Sequence, residues 1–273
     1  MIRSDQHMHS TFSGDSKTEM SDMINAAIEN NLKTICFTEH YDPLFPSYKP
    51  GNEGKFDLDV ERYIETAKRL RADESLQSKI NVRFGIELGI YPDIYDIGKD
   101  IITSSPYDFV ILSSHTANKV DPYFPKYWEM YSSVEGMKVY FEEILENVKN
   151  FDDFDVYGHL DYCVRYTECT DEDKDIRHYK EIFEAIFKIL VAKGKGIELN
   201  SGGLRSKLKE FNPNPEILKL YKQCGGEIIT FGSDAHICEH MAYEISRASD
   251  LLESLGFKYV AEFKERKPEF IKI

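Results

Sequence analysis

Along the chain, short apolar runs of the kind that form buried strands alternate with stretches whose apolar residues recur at helical spacing. Ile2 to His9 reads as the first strand, and Ser21 caps a helix that carries Met23, Ile24, Ala27 and Ile28 on one face. Thr34 to Thr38 predicts a second strand, followed by a loop from Pro43 to Gly54 and a helix from Asp57 to Arg71. Val82 to Ile90 is the third strand, after which Pro92 opens a helix reaching Thr103. Asp108 to Leu112 is the fourth. An aromatic loop with Tyr123, Phe124, Tyr127, Trp128 and Tyr131 precedes a helix from Gly136 to Val148. Phe154 to Gly158 is a fifth strand, and the longest helix is expected over Asp175 to Lys193, with Gly194 at its C-cap. Gly196 to Asn200, a helix from Pro215 to Cys224, and Glu227 to Phe231 follow. A final helix from Ala242 to Leu255 and an apolar tail close the chain.

Seven strands alternating with helices imply parallel strands joined by crossover helices. An open doubly wound sheet and a closed barrel both fit that order. Histidines and carboxylates decide between them. His7 and His9 end the first strand and point the same way, because strand side chains alternate faces. His40 follows the second strand, Glu87 lies near the end of the third, His115 and His159 follow the fourth and fifth, and Asp234 and His236 follow the seventh. Groups spread over so many strand ends suit the functional face of a barrel, whereas an open sheet would gather them at one switch point. The expectation is an α/β, TIM-like barrel of seven strands in a single domain spanning residues 1–273.

With Asp15, which lies shortly after the first strand, these residues make nine nitrogen and carboxylate donors: His7, His9, Asp15, His40, Glu87, His115, His159, Asp234 and His236. One tetrahedral zinc cannot use nine donors, so two or three divalent ions are implied. Histidine with carboxylate suits zinc, iron or manganese. Glu87 stands in Phe84-Gly85-Ile86-Glu87-Leu88, where an unpartnered carboxylate is costly to bury, which makes it the candidate to bridge two ions. His178 and His240 lie on helical or surface-like stretches and read as ordinary histidines.

Composition narrows the picture further. A hydrophobic content of 41% is ample for a large core, and a net charge of −14 with no basic stripe argues against a nucleic-acid partner. No apolar run reaches the ~20 residues needed to cross a bilayer. The five cysteines include no Cys-x-x-Cys pair, and the first residues lack a signal-peptide core, so a cytoplasmic protein with reduced thiols is expected. Glycine-rich phosphate loops are absent.

Asp5-Gln6-His7-Met8-His9-Ser10, Phe37-Thr38-Glu39-His40, Gly85-Ile86-Glu87, Ser114-His115, Gly158-His159 and Gly232-Ser233-Asp234-Ala235-His236, in that order, resemble the motifs of the polymerase-and-histidinol-phosphatase (PHP) superfamily. The resemblance implies a distorted (β/α)7 barrel with a trinuclear metal site. It places His7, His9, Glu87 and Asp234 on one metal, Glu87, His115 and His159 on a second, and Asp15, His40 and His236 on the third. Within the superfamily the chain is similar to histidinol-phosphatases, supported by Glu39-His40-Tyr41-Asp42-Pro43 and Asn200-Ser201-Gly202-Gly203-Leu204-Arg205. That family binds phosphate through barrel-loop arginines, which match Arg165 and Arg205 here. Guanidinium forks suit phosphate oxygens independently of any family.

The reaction implied is hydrolysis of L-histidinol phosphate, a small phosphorylated substrate, by attack of a metal-bridging hydroxide on phosphorus. Glu87, Asp234 and His236 are the catalytic candidates, with Asp234 or His236 protonating the leaving alkoxide. Asp42 and Asp161 are the acids nearest the motifs for the substrate's amine, and the aromatic loop could cover its ring. Three alternatives stay open: another PHP phosphoesterase acting on a nucleotide, a phosphodiester or a phosphotyrosine protein; an amidohydrolase-type barrel; and a metal-binding module without turnover. The second lacks a bridging lysine at a strand end.

Overall fold

A computed structural model describes residues 1–46 and 53–273. Part of the loop expected between Pro43 and Gly54 therefore lies outside the described residues. Seven parallel strands form one sheet in sequence order: β1 (Ser4–Met8), β2 (Thr34–Tyr41), β3 (Asn81–Gly89), β4 (Phe109–Ser113), β5 (Val156–Tyr157), β6 (Gly196–Asn200) and β7 (Ile229–Gly232). Their residues are buried on both faces almost throughout, as strands covered by helices outside and by one another inside require. The ring closes between β1 and the segment after β7. The N–H of His9 donates to the carbonyl of Ala235 at 2.9 Å, and the N–H of Asp234 donates to the carbonyl of His7, also at 2.9 Å.

Register, more than any single contact, assembles the site. In the β2–β3 ladder His40 stands beside Glu87. The β1–β2 ladder advances from Asp5 opposite Ile35 to Met8 opposite Phe37, so β1 carries one extra residue there. Such a bulge re-aims the side chains beyond it, and here it falls next to His7 and His9.

Two helical expectations change. The longest helix is Ser133–Asn150, whose start is fixed by a capping box between Ser132 and Glu135. The stretch expected to be longest is broken instead into a 3-10 turn, Ile176–His178, and a helix, Lys180–Ala192. The tail after the last helix is not a plain apolar end either. It forms an antiparallel hairpin of β8 (Tyr259–Lys264) and β9 (Lys267–Lys272). Phe263 stacks on Phe109 with ring centroids 4.8 Å apart, within a cluster of Cys36, Ile111, Val156 and Ala261. Arg266 Nε donates to Asp155 Oδ2 at 2.6 Å, and the N–H of Glu265 to Asp108 Oδ1 at 3.1 Å. Asp108 and Asp155 each precede a strand, so the hairpin seals the amino-terminal end of the barrel and leaves the site at the other. None of the described helices is long and apolar enough to cross a membrane.

Candidate metal centre

The carboxylate of Glu87, fully buried near the end of β3, is the meeting point. Its Oε2 lies 2.8 Å from His40 Nδ1, 3.2 Å from His7 Nε2 and 3.6 Å from His9 Nε2. Its Oε1 lies 2.9 Å from His159 Nε2 and 3.3 Å from His115 Nε2. Asp234 Oδ1 stands 3.5 Å from His9 Nε2 and 3.9 Å from His7 Nε2. Asp15 Oδ2 is 3.3 Å from His236 Nε2 and 3.6 Å from His40 Nε2. All nine donors singled out in the sequence are thus brought to one place, while His178 and His240 lie on 3-10 turns outside it.

Packing so many ionisable groups together drives their proton affinities apart. Burial alone would raise Glu87, but His7, His40 and His115 hold it well below the usual carboxylate range. Burial works against a charge on His7 too, yet Glu198, Glu87 and Asp234 lift it well above an ordinary histidine. His40 is pushed up to about 9 against its burial, chiefly by Glu87 and Asp15. His9 goes well down, from burial and then from its cationic neighbours His40 and His236. A proton-filled cluster of this kind loses protons when cations take their place.

The donors also fit metal ions on geometric grounds. His40 Nδ1 and Glu87 Oε2 are 2.8 Å apart, yet neither makes a directed hydrogen bond, and both are buried. His236 Nε2 is likewise buried without a hydrogen-bond partner. His7 Nε2 and His9 Nε2 face each other at 3.1 Å. Ring nitrogens and carboxylate oxygens converging without satisfying one another are what a set of cations would satisfy. Among the described residues, four overlapping groups have ligand atoms within 4.8 Å of one another: His7, His9 and Glu87; Glu87, His115 and His159; His9, His40 and His236; and His40, Asp42 and His115. The set suits two or three divalent ions.

Above this floor opens a cavity of about 450 Å³, whose walls include His40, His115, His159, His236, Asp15 and Asp234. Aromatic side chains of Phe45, Phe56, Tyr123, Phe124, Tyr162 and Tyr166 line the rest, with Arg165, Lys55, Asp42 and Asp121 among them. Arg165 is held by Asn212 Oδ1 at 2.6 Å and Asn200 Oδ1 at 3.0 Å, and its Nη1 lies 3.6 Å from Asp234 Oδ2. Arg205 does not line the cavity. Its guanidinium donates to the carbonyls of Ser233 at 2.8 Å and Asp234 at 2.9 Å.

A model of the PHP domain matches residues 5–202. The histidinol-phosphatase of Lactococcus lactis is 32% identical over 269 residues, covering 98% of this chain and 96% of its own length. The chain belongs to the PHP family. A crystal structure of histidinol phosphate phosphatase from Lactococcus lactis, solved with zinc, L-histidinol and phosphate, superposes with a TM-score of 0.87 at 31% identity, covering 98% of each chain. A structure from Listeria monocytogenes, 18% identical and covering 89% of this chain and 99% of its own, shares the fold with a TM-score of 0.79. Membership in the PHP family replaces the amidohydrolase alternative.

Around the PHP donors stand residues that the sequence did not single out. Glu198, fully buried in β6, accepts from His7 Nδ1 at 2.6 Å and from the N–H of His159 at 3.0 Å. A Cβ at Gly232 would come within 2.1 Å of Glu198 Oε1 and 2.5 Å of His7 Cβ, so only glycine leaves room for that pair. Glu39 accepts from the hydroxyls of Ser10 and Ser13, and Ser13 Oγ in turn meets His9 Nδ1 at 3.1 Å. Holding one ring nitrogen fixes which nitrogen the other face offers to a metal.

Asp42 lines the cavity with its Oδ1 2.6 Å from His115 Nδ1. Two further expectations are revised. Asp161 is turned away from the cavity, bonded to Asn212 Nδ2 at 2.6 Å and to the N–H of Asn214 at 3.0 Å. In the aromatic loop, Tyr127 is buried with its hydroxyl on the carbonyl of Gly136, and Trp128 Nε1 donates to the carbonyl of Pro122. Only Tyr123 and Phe124 of that loop's aromatics reach the cavity, because Pro125–Met130 folds into a short helix that docks the others inward.

Proposed function

We propose that this protein is a metal-dependent phosphomonoesterase that hydrolyses L-histidinol phosphate to L-histidinol and inorganic phosphate, the phosphatase step of histidine biosynthesis. The observation that carries the reading is one cavity whose wall carries Asp15, His40, His115, His159, Asp234 and His236 of the donor cluster together with Arg165 beneath an aromatic rim. The full-length likeness to a histidinol-phosphatase supplies the substrate. His7, His9, Glu87 and Asp234, with His115 and His159 on the far side of Glu87 and Asp15, His40 and His236 beyond His9, would hold the ions. Bound divalent ions supply Lewis acidity and positive charge for phosphate chemistry at neutral pH.

The chain's own residues do the rest. Arg165, pre-set by two asparagine oxygens, binds phosphate oxygens with the N–H groups that face the cavity. Glu87 keeps five imidazoles in register around one carboxylate. Asp234 Oδ2, anionic and 3.6 Å from Arg165 Nη1, is placed to accept a hydrogen bond from the attacking water and orient it. His236, at the cavity wall, is assigned the proton of the leaving oxygen. Arg205 positions rather than binds: its two carbonyl contacts hold Asp234, whose φ of 56° is strained for a residue with a side chain. The five cysteines, all free, fit a reducing compartment, and the cytoplasm is the proposed location.

Phosphate release from a panel of phosphorylated metabolites by the metal-replete protein tests the reading. L-Histidinol phosphate should show the highest kcat/KM, above p-nitrophenyl phosphate despite the latter's better leaving group. Arg165→Ala should lower that value by about one to two decades, as expected for lost charge-assisted bonds. A generic ester turned over better than histidinol phosphate would reduce the assignment to an unspecified PHP phosphoesterase.

A further inference from the structure

Asn200, the last residue of β6, touches both the phosphate-binding arginine and the carboxyls that serve the metal centre. It is fully buried, and its backbone pairs with Asn212 in both directions, N–H to carbonyl at 2.7 Å and carbonyl to N–H at 2.9 Å. The side-chain amide stands between a cation and two acids. Its Oδ1 accepts from Arg165 Nη2 at 3.0 Å and from the N–H of Gly202 at 2.7 Å. Its Nδ2 donates to Glu198 Oε2 at 3.1 Å and to Asp234 Oδ2 at 3.4 Å. Turned over, the amide would set its oxygen against two carboxyls and its nitrogen against a guanidinium and an N–H, so one orientation alone satisfies all four neighbours. A Cβ at Gly202 would meet Asn200 Oδ1 at 2.8 Å, Arg165 Nη2 at 3.1 Å and Asp234 Oδ2 at 3.2 Å. Glycine there leaves open the point where amide, guanidinium and carboxylate converge.

We propose that Asn200 is a positioning residue that keeps the Arg165 guanidinium and the Asp234 carboxylate apart, so that the first stays open to phosphate and the second to metal. The proposal rests on the phosphomonoesterase reading above and names what holds its two charged halves separate. Arg165 Nη1 lies 3.6 Å from Asp234 Oδ2, too far for a hydrogen bond yet close enough for strong attraction. Arginine and carboxylate at such range close into a bidentate pair when nothing else engages them. Here each is already engaged by an amide. Asn212 takes Arg165 Nε at 2.6 Å and Asn200 takes Nη2, while the other end of the Asn200 amide takes the very Asp234 oxygen that Arg165 approaches. A neutral amide can do this because one end accepts and the other donates. A carboxylate in its place would become the ion-pair partner itself.

Asn200→Ala tests this in the zinc-loaded enzyme, beside Arg165→Ala and the double variant. Asn200→Ser, whose hydroxyl can still accept from the Gly202 N–H, serves if the first variant folds poorly. The readouts are the inhibition constant of inorganic phosphate and the chelator concentration that removes half of the zinc. Either change at Asn200 should raise the phosphate constant by about tenfold, short of the loss caused by Arg165→Ala. It should weaken zinc binding by about tenfold as well, because Asp234 is drawn onto Arg165. In the Arg165→Ala background both effects should shrink to less than about twofold, since no guanidinium remains to be misplaced or to draw Asp234 away. A residue that merely fills space would act alike in the two backgrounds. Shifts of equal size in both backgrounds, in either readout, overturn the proposal, as does a native phosphate constant in both Asn200 variants. If Arg165→Ala itself leaves the phosphate constant unchanged, the phosphate-binding role of Arg165 falls first, and the role of Asn200 with it.

Discussion

At Glu87 and Glu198 two buried carboxylates do different work on the same histidine. Glu87 meets His7 Nε2 on the cluster side, and Glu198 holds Nδ1 from behind. With Nδ1 engaged, Nε2 is the nitrogen left for a metal, which is how carboxylate–histidine pairs orient ligands elsewhere. Glu198→Gln should therefore weaken metal binding by about 10- to 100-fold while leaving the fold intact, because the amide still fills the space against Gly232. Competition with a chelator, read alongside thermal melting, checks this, and native metal affinity in the variant would reduce Glu198 to a packing role. The signal for Glu198 was present in the sequence. Gly85-Ile86-Glu87-Leu88 and Gly196-Ile197-Glu198-Leu199 share one pattern, and the cost of burying a carboxylate applies to both. What no pattern reveals is which imidazole each one meets, since that depends on β3 and β6 presenting Glu87 and Glu198 to opposite nitrogens of His7. Eight of the nine donors were legible because each follows or ends an apolar run, whereas Asp15 sits in the loop after β1. The contrast between Arg165 and Arg205 was not, because which loop arginine turns inward depends on Asn200 and Asn212, brought together by an isolated bridge between their backbones.

At the level of elements, the seven barrel strands were legible from uninterrupted apolar runs, whereas the terminal hairpin was not. Its turn, Glu265-Arg266, holds both residues in the left-handed region at φ 50° and 65°, yet contains neither the glycine nor the asparagine that usually marks such turns. Tertiary contacts compensate: the N–H of Arg266 donates to the carbonyl of Asp108 at 2.9 Å, and its side chain to Asp155. Glu265 contributes only backbone there, so Glu265→Asn should relieve strain without losing a side-chain contact. The expected gain is about 0.5–1 kcal/mol, or roughly 1–3 °C in Tm for a chain of this size. A melting temperature at or below the native one would mean that the turn is not strained. β9 itself alternates no better than a loop and is exposed along its whole length, so periodicity could not have marked it as a strand.

Taken whole, the molecule is a cup. Phe263 and Ala261 stop the barrel at one end, Glu87 and the imidazoles form the bottom of the opening at the other, and Tyr123, 58% exposed, stands at the lip. A vessel with one opening imposes a queue. Phosphate is made at the bottom, beneath the alcohol it was attached to, and the alcohol blocks its exit. L-Histidinol should therefore leave first and phosphate last. Steady-state product inhibition reads the order directly: phosphate should compete with substrate, and L-histidinol should inhibit noncompetitively. The opposite assignment would require a second way out through the hairpin. Because the last product leaves an enzyme ready for the next turn, a rise in free phosphate would slow the reaction even while its alcohol product is scarce.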